Sequence, residues 1–540
     1  MMCRDCGRSA VSSFCEVSSS EKRVSLMRLI AIVAALACAL SSCAFGGQAG
    51  SGAGSSSPAS LEPHAIDAPM PEIPEGLGAY YRQGVTWENC SDDGLVCGAY
   101  TVPLDYSNPS GKIIHIAAMK RPADGERIGT LLVNPGGPGG SGQDLARAAS
   151  AYFPRPILEH FDILGFDPRG VNDSSPIDCV DDSKLSELVE ASYPDTPEGR
   201  EASFADAEAF AAGCEKESGD LLPFVGTENV ARDMDVIRHV EGDPKLYYVG
   251  FSYGTELGAE YAELFPKNVG RMVLDGAMAS TRTNFEQSKE QLVGFEKALN
   301  TYLEDCIANT KNCPFSGTLD EARATVRGLF DKALRESLKT SKADEPLTES
   351  GLLYGIITPL YSSDYKTLTK AFNDLINEND ASLFQTLFDS YLDRSDGVFA
   401  NNAFEANIAI TCADYPAEGT EDDWIRQAEE LSEAAPVLGP VFGYDDAMCS
   451  RWPYQAERRV GNFKATGSDL IVVVGTKGDP ATPYAWAQDL SSSLENATLI
   501  TWEGEGHTAY ARSTDCVSDP INAYLLNGSA PEKNLICPAE

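Results

Sequence analysis

Seven short apolar runs mark the chain, at 112–120, 129–134, 161–167, 245–251, 271–276, 469–475 and 497–502. Several are continuous rather than alternating, for example TLLV within 129–134 and LIVVV within 469–475. Continuous short runs are the signature of parallel strands buried on both faces. Segments of helical spacing lie between some of them, such as NVARDMDVIRHVEG before the run at 245. This strand–helix alternation predicts an open, mostly parallel sheet, doubly wound by helices.

From 280 to 465 the strand pattern stops and helical periodicity takes over. TLDEARATVRGLFDKALRESL opens on Thr318 and Glu321 at capping-box spacing. Its apolar positions Leu319, Ala322, Val326, Leu329, Phe330, Ala333 and Leu334 follow a three–four period, read as core packing. An insertion this long is a folded helical cap rather than a loop. The sheet domain is therefore expected over 76–279 and 466–540, with the cap at 280–465 between its parts. A smaller insertion, about 176–225, carries Cys179 and Cys214.

The first 75 residues have a different character. Lys22, Arg23 and Arg28 precede LIAIVAALACAL at 29–40, an apolar run too short to span a bilayer permanently. It ends in Leu40-Ser41-Ser42-Cys43, which resembles a bacterial lipobox. Residues 1–43 are expected to be an export signal, with Cys43 as the lipidated residue; an ordinary cleavage site is the alternative. The Gly-, Ser- and Pro-rich stretch 44–75 reads as a flexible tether. An exported location, anchored at the outer face of the membrane or secreted, follows.

Of the 15 cysteines, ten lie beyond this leader: Cys90, Cys97, Cys179, Cys214, Cys306, Cys313, Cys412, Cys449, Cys516 and Cys537. An even number in an exported chain points to disulfides. Connectivity is open from sequence; sequential pairing is expected because short loops close at least entropic cost. The spacings and the five histidines argue against zinc. The formal net charge of -39 argues against a nucleic-acid partner. The chain is expected to act as a monomer without metal or cofactor.

One short motif carries chemistry. YVGFSYGTE holds Ser252 between Gly250 and Gly254, after a strand and at the start of a helix. A serine on such a strand-to-helix turn is presented as a nucleophile, beside the free N–H groups of the helix start. It needs a base. His64, His115, His160 and His239 fall in the tether, in or before strands, or in a helix, and read as structural or solvated. His507, in GEGHTAY after the last strand run, is the only histidine following Ser252. Asp479, after the run at 469–475, is placed to orient it. The order Ser252, Asp479, His507 is that of the α/β-hydrolase fold. NPGGPGGSG at 134–142 follows another strand and lacks the Lys of a phosphate-binding loop. It reads as an oxyanion loop, with the N–H groups of Gly137 and Tyr253 as donors.

These motifs, with CGAYTVPLDYSNP (97–109), FDILGFDPRGVNDSSP (161–176), AITCADYP (409–416), CSRWP (449–453) and GTKGDPATP (475–483), resemble the tripeptidyl and prolyl aminopeptidases of actinobacteria. The resemblance runs from about residue 85 to the C-terminus. Prolyl aminopeptidases usually begin the oxyanion loop with His-Gly-Gly-Pro-Gly; here it begins Asn134-Pro135-Gly136-Gly137-Pro138, as in the tripeptidyl branch. The resemblance implies release of short N-terminal peptides, tripeptides among them, from substrates with a free N-terminus. Such an enzyme needs an acidic group for the substrate ammonium. Asp414, Glu405 and Glu256 are the candidates, with Asp414 favoured by its place in AITCADYP. The resemblance also suggests that Cys412 pairs with Cys449 to pin the cap. Asp167 and Arg169 are expected to form a structural ion pair. A carboxylesterase or lipase on the same fold, and a non-catalytic surface lipoprotein, are the rival readings.

Overall fold

The computed structural model describes residues 62–540, apart from Asp92, Ser280, Ala343, Asp344, Glu457 and Arg458. The expected signal, Cys43 and most of the tether lie outside the described residues. Ten strands form one sheet: β1 (Glu88–Asn89), β2 (Val96–Pro103), β3 (Ile113–Arg121), β4 (Gly129–Asn134), β5 (Phe161–Phe166), β6 (Leu246–Phe251), β7 (Val269–Asp275), β10 (Ile471–Gly478), β11 (Ala497–Glu505) and β12 (Leu535–Cys537). The remaining pair, β8 (Arg394–Ser395) and β9 (Val398–Phe399), is a small ribbon inside the region expected to be wholly helical.

Spatial order in the large sheet is β1-β2-β3-β5-β4-β6-β7-β10-β11-β12. The pairings β1–β2, β2–β3 and β3–β5 are antiparallel, and all others in the sheet are parallel. Every residue of β4, β6 and β7 is buried, as their unbroken apolar runs require. Alternation sends Leu131 and Val133 to one face and Leu132 to the other. The strands without such runs, β1, β2 and β12, are the ones that periodicity does not pick out. They occupy the sheet margins.

The cap includes the helices Asn284–Asn309, Leu319–Glu336, Glu349–Ser362, Tyr365–Glu378, Ser382–Tyr391, Ala403–Asp414 and Glu421–Ala434. Thr283–Glu286 and Thr318–Glu321 both close capping boxes. The cap shares one continuous apolar core with a face of the sheet: Leu132 and Tyr248 belong to the same cluster as Phe295, Leu299 and Phe330. The cysteines pair as 90–97, 179–214, 306–313, 412–449 and 516–537. Cys412–Cys449 joins the helix Ala403–Asp414 to the helix Asp445–Ser450.

Two further expectations are corrected. The tether does not run freely to residue 75. The N–H of His64 donates to Leu526 O, its carbonyl accepts from Arg271, and the Ile66 N–H donates to the Tyr247 hydroxyl. Backbone groups in a Pro-rich segment found partners on the sheet domain that composition does not reveal. Arg169 does not pair with Asp167; its buried guanidinium grips both oxygens of Asp233, at 2.7 and 2.8 Å. Asp167 instead accepts Ser141 Oγ and Gln143 Nε2, each at 2.6 Å, which anchors the end of the 134–142 loop.

Candidate active site

The site is built at the carboxyl ends of the parallel strands, where open α/β sheets hold their ligands. β6 ends at Phe251, Ser252 turns the chain, and the helix Tyr253–Leu264 begins at the next residue. Ser252 has φ 55 and ψ -127, a conformation an L-residue rarely adopts. Its surroundings enforce it. A Cβ on Gly250 would lie 2.2 Å from Gly254 O, and one on Gly254 would lie 2.8 Å from Asn134 O. The flanking glycines are therefore required by close approach. The Ser252 N–H donates to Asp275 O at 2.9 Å, which ties the turn to the end of β7.

Asp479 follows β10 and its carboxylate is fully buried. Oδ1 accepts the N–H groups of Ala481 and Thr482 at 2.9 and 2.8 Å; Oδ2 accepts the Thr482 hydroxyl at 2.8 Å and the Thr508 N–H at 3.2 Å. His507 Nδ1 stands 3.0 Å from both oxygens. A carboxylate only accepts, so Nδ1 carries the proton and Nε2 offers its lone pair. Gly276, directly after Asp275, brings the two halves together. A Cβ on it would lie 3.1 Å from His507 Cε1, while the preceding carbonyl holds the Ser252 N–H. Among the described residues the Ser252 hydroxyl has no hydrogen bond to His507; such contacts commonly tighten only when substrate is bound.

The 134–142 loop lies against this turn. A Cβ on Gly136 would fall 2.8 Å from Ser252 Cβ and 3.1 Å from Tyr253 N. Gly136 and Gly137 take φ of +101 and +113, open only to glycine at low cost. Gly136 N–H is used by Asn134 Oδ1 at 2.9 Å. The N–H groups of Gly137 and Tyr253 donate to no protein acceptor among the described residues.

The three proposed amine ligands are not brought together as one open acidic pocket. Glu405 Oε1 accepts the N–H of Cys179 and Val180, fastening the smaller insertion to the cap. Burial raises its pKa to about 7. Glu256 is buried, takes the hydroxyl of Tyr415, and is pushed up to about 8 by burial and then by Asp414. Asp414 accepts the N–H and hydroxyl of Thr227 at 2.8 and 2.6 Å. It lines a cavity of about 510 Å³ with Tyr106, Phe224, Asn229 and Arg232, a cavity whose lining does not include Ser252, Asp479, His507 or Gly137.

The other histidines stand apart. His115 faces Thr101, His160 bonds Glu126 O, and His239 packs on Tyr81. Sequence reasoning missed Thr482, whose hydroxyl and N–H both hold Asp479; the Asp-x-x-Thr spacing was a readable signal. It also missed Asp275, whose carboxylate accepts the N–H groups of Ala509 and Tyr510 behind His507. Burial raises Asp275 to about 6 against those donors.

The α/β-hydrolase fold family matches residues 129–358, and the TAP-like protein family matches 435–537. Serine protease Hip1 of Mycobacterium tuberculosis is 34% identical over 84% of this chain and 91% of its own. Tripeptidyl aminopeptidase of Streptomyces coelicolor is 30% identical over 84% and 86%. Carboxylesterase B of M. tuberculosis is 36% identical over 82% and 86%.

Proposed function

Because the chain belongs to the tripeptidyl aminopeptidase-like family of α/β-hydrolase-fold serine hydrolases, we propose that it removes short peptides, tripeptides among them, from free N-termini. The observation that carries this reading is the convergence at one sheet edge of a strained Ser252, the Asp479–His507 pair and two unspent backbone N–H groups. In the proposed reaction His507 Nε2 takes the Ser252 proton as Oγ attacks the scissile carbonyl. The Gly137 and Tyr253 N–H groups receive the oxyanion. Asp479 holds the imidazole and stabilises its cation. His507 then protonates the leaving amine, and water, deprotonated by the same imidazole, releases the peptide from Ser252. Asp414, tied through the Thr227 hydroxyl to the Tyr253 side chain next to Ser252, is the carboxylate retained for the substrate ammonium.

The five disulfides fit an exported protein. Among the described residues no helix is long and apolar enough to cross a membrane. We extend the reading to attachment through lipid on Cys43 and to a monomer acting alone.

The relative named carboxylesterase B favours a second reading, ester hydrolysis by the same groups. Three substrates separate the two: a free-amino tripeptide anilide, its N-acetylated twin and a simple aryl ester. The peptidase reading expects cleavage of the first and not the second, abolished by Ser252→Ala. Turnover of the ester with both peptides inert would replace it by the esterase.

A further inference from the structure

His507 is held by the cap as well as by Asp479. Its N–H donates to the carbonyl of Tyr361 at 2.7 Å, near the end of the cap helix Glu349–Ser362. Its own carbonyl accepts Arg512 Nη1 at 2.5 Å. The same guanidinium reaches Tyr361 O from Nη1, and Ser362 O and Glu505 O from Nη2, each at 3.2 Å. Four carbonyls from two parts of the fold thus converge on one planar cation. The Tyr361 ring stands edge-on to the imidazole, with centroids 5.6 Å apart.

Two further observations show that this clasp is built. Gly506, with φ +93, precedes His507; a Cβ there would lie 2.5 Å from Arg512 Nη2 and 2.9 Å from Tyr361 O. The chain therefore keeps that place empty for the guanidinium. Arg512 also has no carboxylate in ion-pair range among the described residues, although the chain holds 81 acidic residues. Its charge acts on Asp479 and Asp275 beyond hydrogen-bond range, while its hydrogen bonds among the described residues all go to carbonyls, which fixes geometry. Five N–H donors in a rigid fork suit that task better than the three of a lysine ammonium.

We propose that Arg512 is a positioning residue that latches the cap to the main chain of His507, so that the seating of the cap sets where the imidazole stands. The latch couples the element that meets substrate to the base that acts on it. It rests on the assignment of His507 as base, and not on the choice between peptide and ester.

The test compares the full chain with Arg512→Met and Arg512→Lys, using the aryl ester, the tripeptide anilide and the rate of fluorophosphonate labelling of Ser252. A small ester has little need of the cap, so it reports the imidazole alone. Arg512→Met is expected to lower ester kcat and labelling rate by about 10²-fold, the cost of a misplacement of about 1 Å, with ester KM within about threefold. Arg512→Lys should recover part of the loss. A merely structural Arg512 would raise peptide KM or lower Tm while leaving ester kcat and labelling unchanged, and that result overturns the latch. If Arg512→Met does not fold, Arg512→Lys decides alone: wild-type ester kcat and labelling sink the proposal. Inert peptides with an ester turned over by the wild type would remove the peptidase reading and leave this test intact.

Discussion

Two buried carboxylates, one at the sheet edge and one at the seam with the cap, are treated very differently by the fold. Asp479 receives the N–H groups of Ala481, Thr482 and Thr508, the Thr482 hydroxyl and His507 Nδ1. Glu256 receives the Tyr415 hydroxyl, and faces the like charge of Asp414. The donors around Asp479 come from backbone whose course two neighbouring strands dictate, so the orientation of the carboxylate is set by the sheet. At the seam Glu256 receives no backbone N–H among the described residues. A carboxyl caught there is driven toward its neutral form. Donor supply is what distinguishes the setting of Asp479 from that of Glu256.

The largest effect should come from removing the charge at the sheet edge. Asp479→Asn is expected to lower kcat by about 10⁴-fold with the fold intact, because the amide no longer fixes the Nδ1–H tautomer of His507. Steady-state kinetics beside a thermal melt checks this; a loss of tenfold or less would show that Asp479 is one carboxylate among many. Next is Thr482→Val, which deletes one hydroxyl donor and leaves the backbone donors in place. A hydrogen bond to a charged group contributes about 1.5–3 kcal/mol, so a fall of about ten- to 10²-fold in kcat is expected, with KM little changed.

The smallest effect on activity, and the largest on the pH dependence of stability, belongs to the seam. Glu256 rises from 4.5 in the unfolded chain to about 8 in the fold. Folding therefore takes up a proton, and its contribution is fully present below 4.5 and lost as the pH climbs to about 8. Melting temperature should fall with rising pH across that window, and Glu256→Gln should flatten the slope. An unchanged slope would mean that Glu256 ionises freely and that the contrast with Asp479 is false.

The apolar runs determined the parallel sheet, because a strand buried on both faces must be apolar throughout. The spacing of strand ends then named Ser252, Asp479, His507 and the 134–142 loop, since the chemistry of this fold sits where strands stop. The marginal strands β1, β2 and β12 carry no such run and were not legible. Partner choice was not legible either. Arg169 and Asp167 are neighbours in a motif, yet Arg169 turned to Asp233 and Asp167 to Ser141 and Gln143. Glu405 reads as a candidate ammonium ligand, and nothing in the sequence says that Cys179 and Val180 will donate to its Oε1. Arg512 gives no sign in sequence that four carbonyls will meet on it. Periodicity reports which way a side chain faces, because burial is a property of each position along its element. A hydrogen bond between distant segments is a property of two positions, and only tertiary structure decides which two.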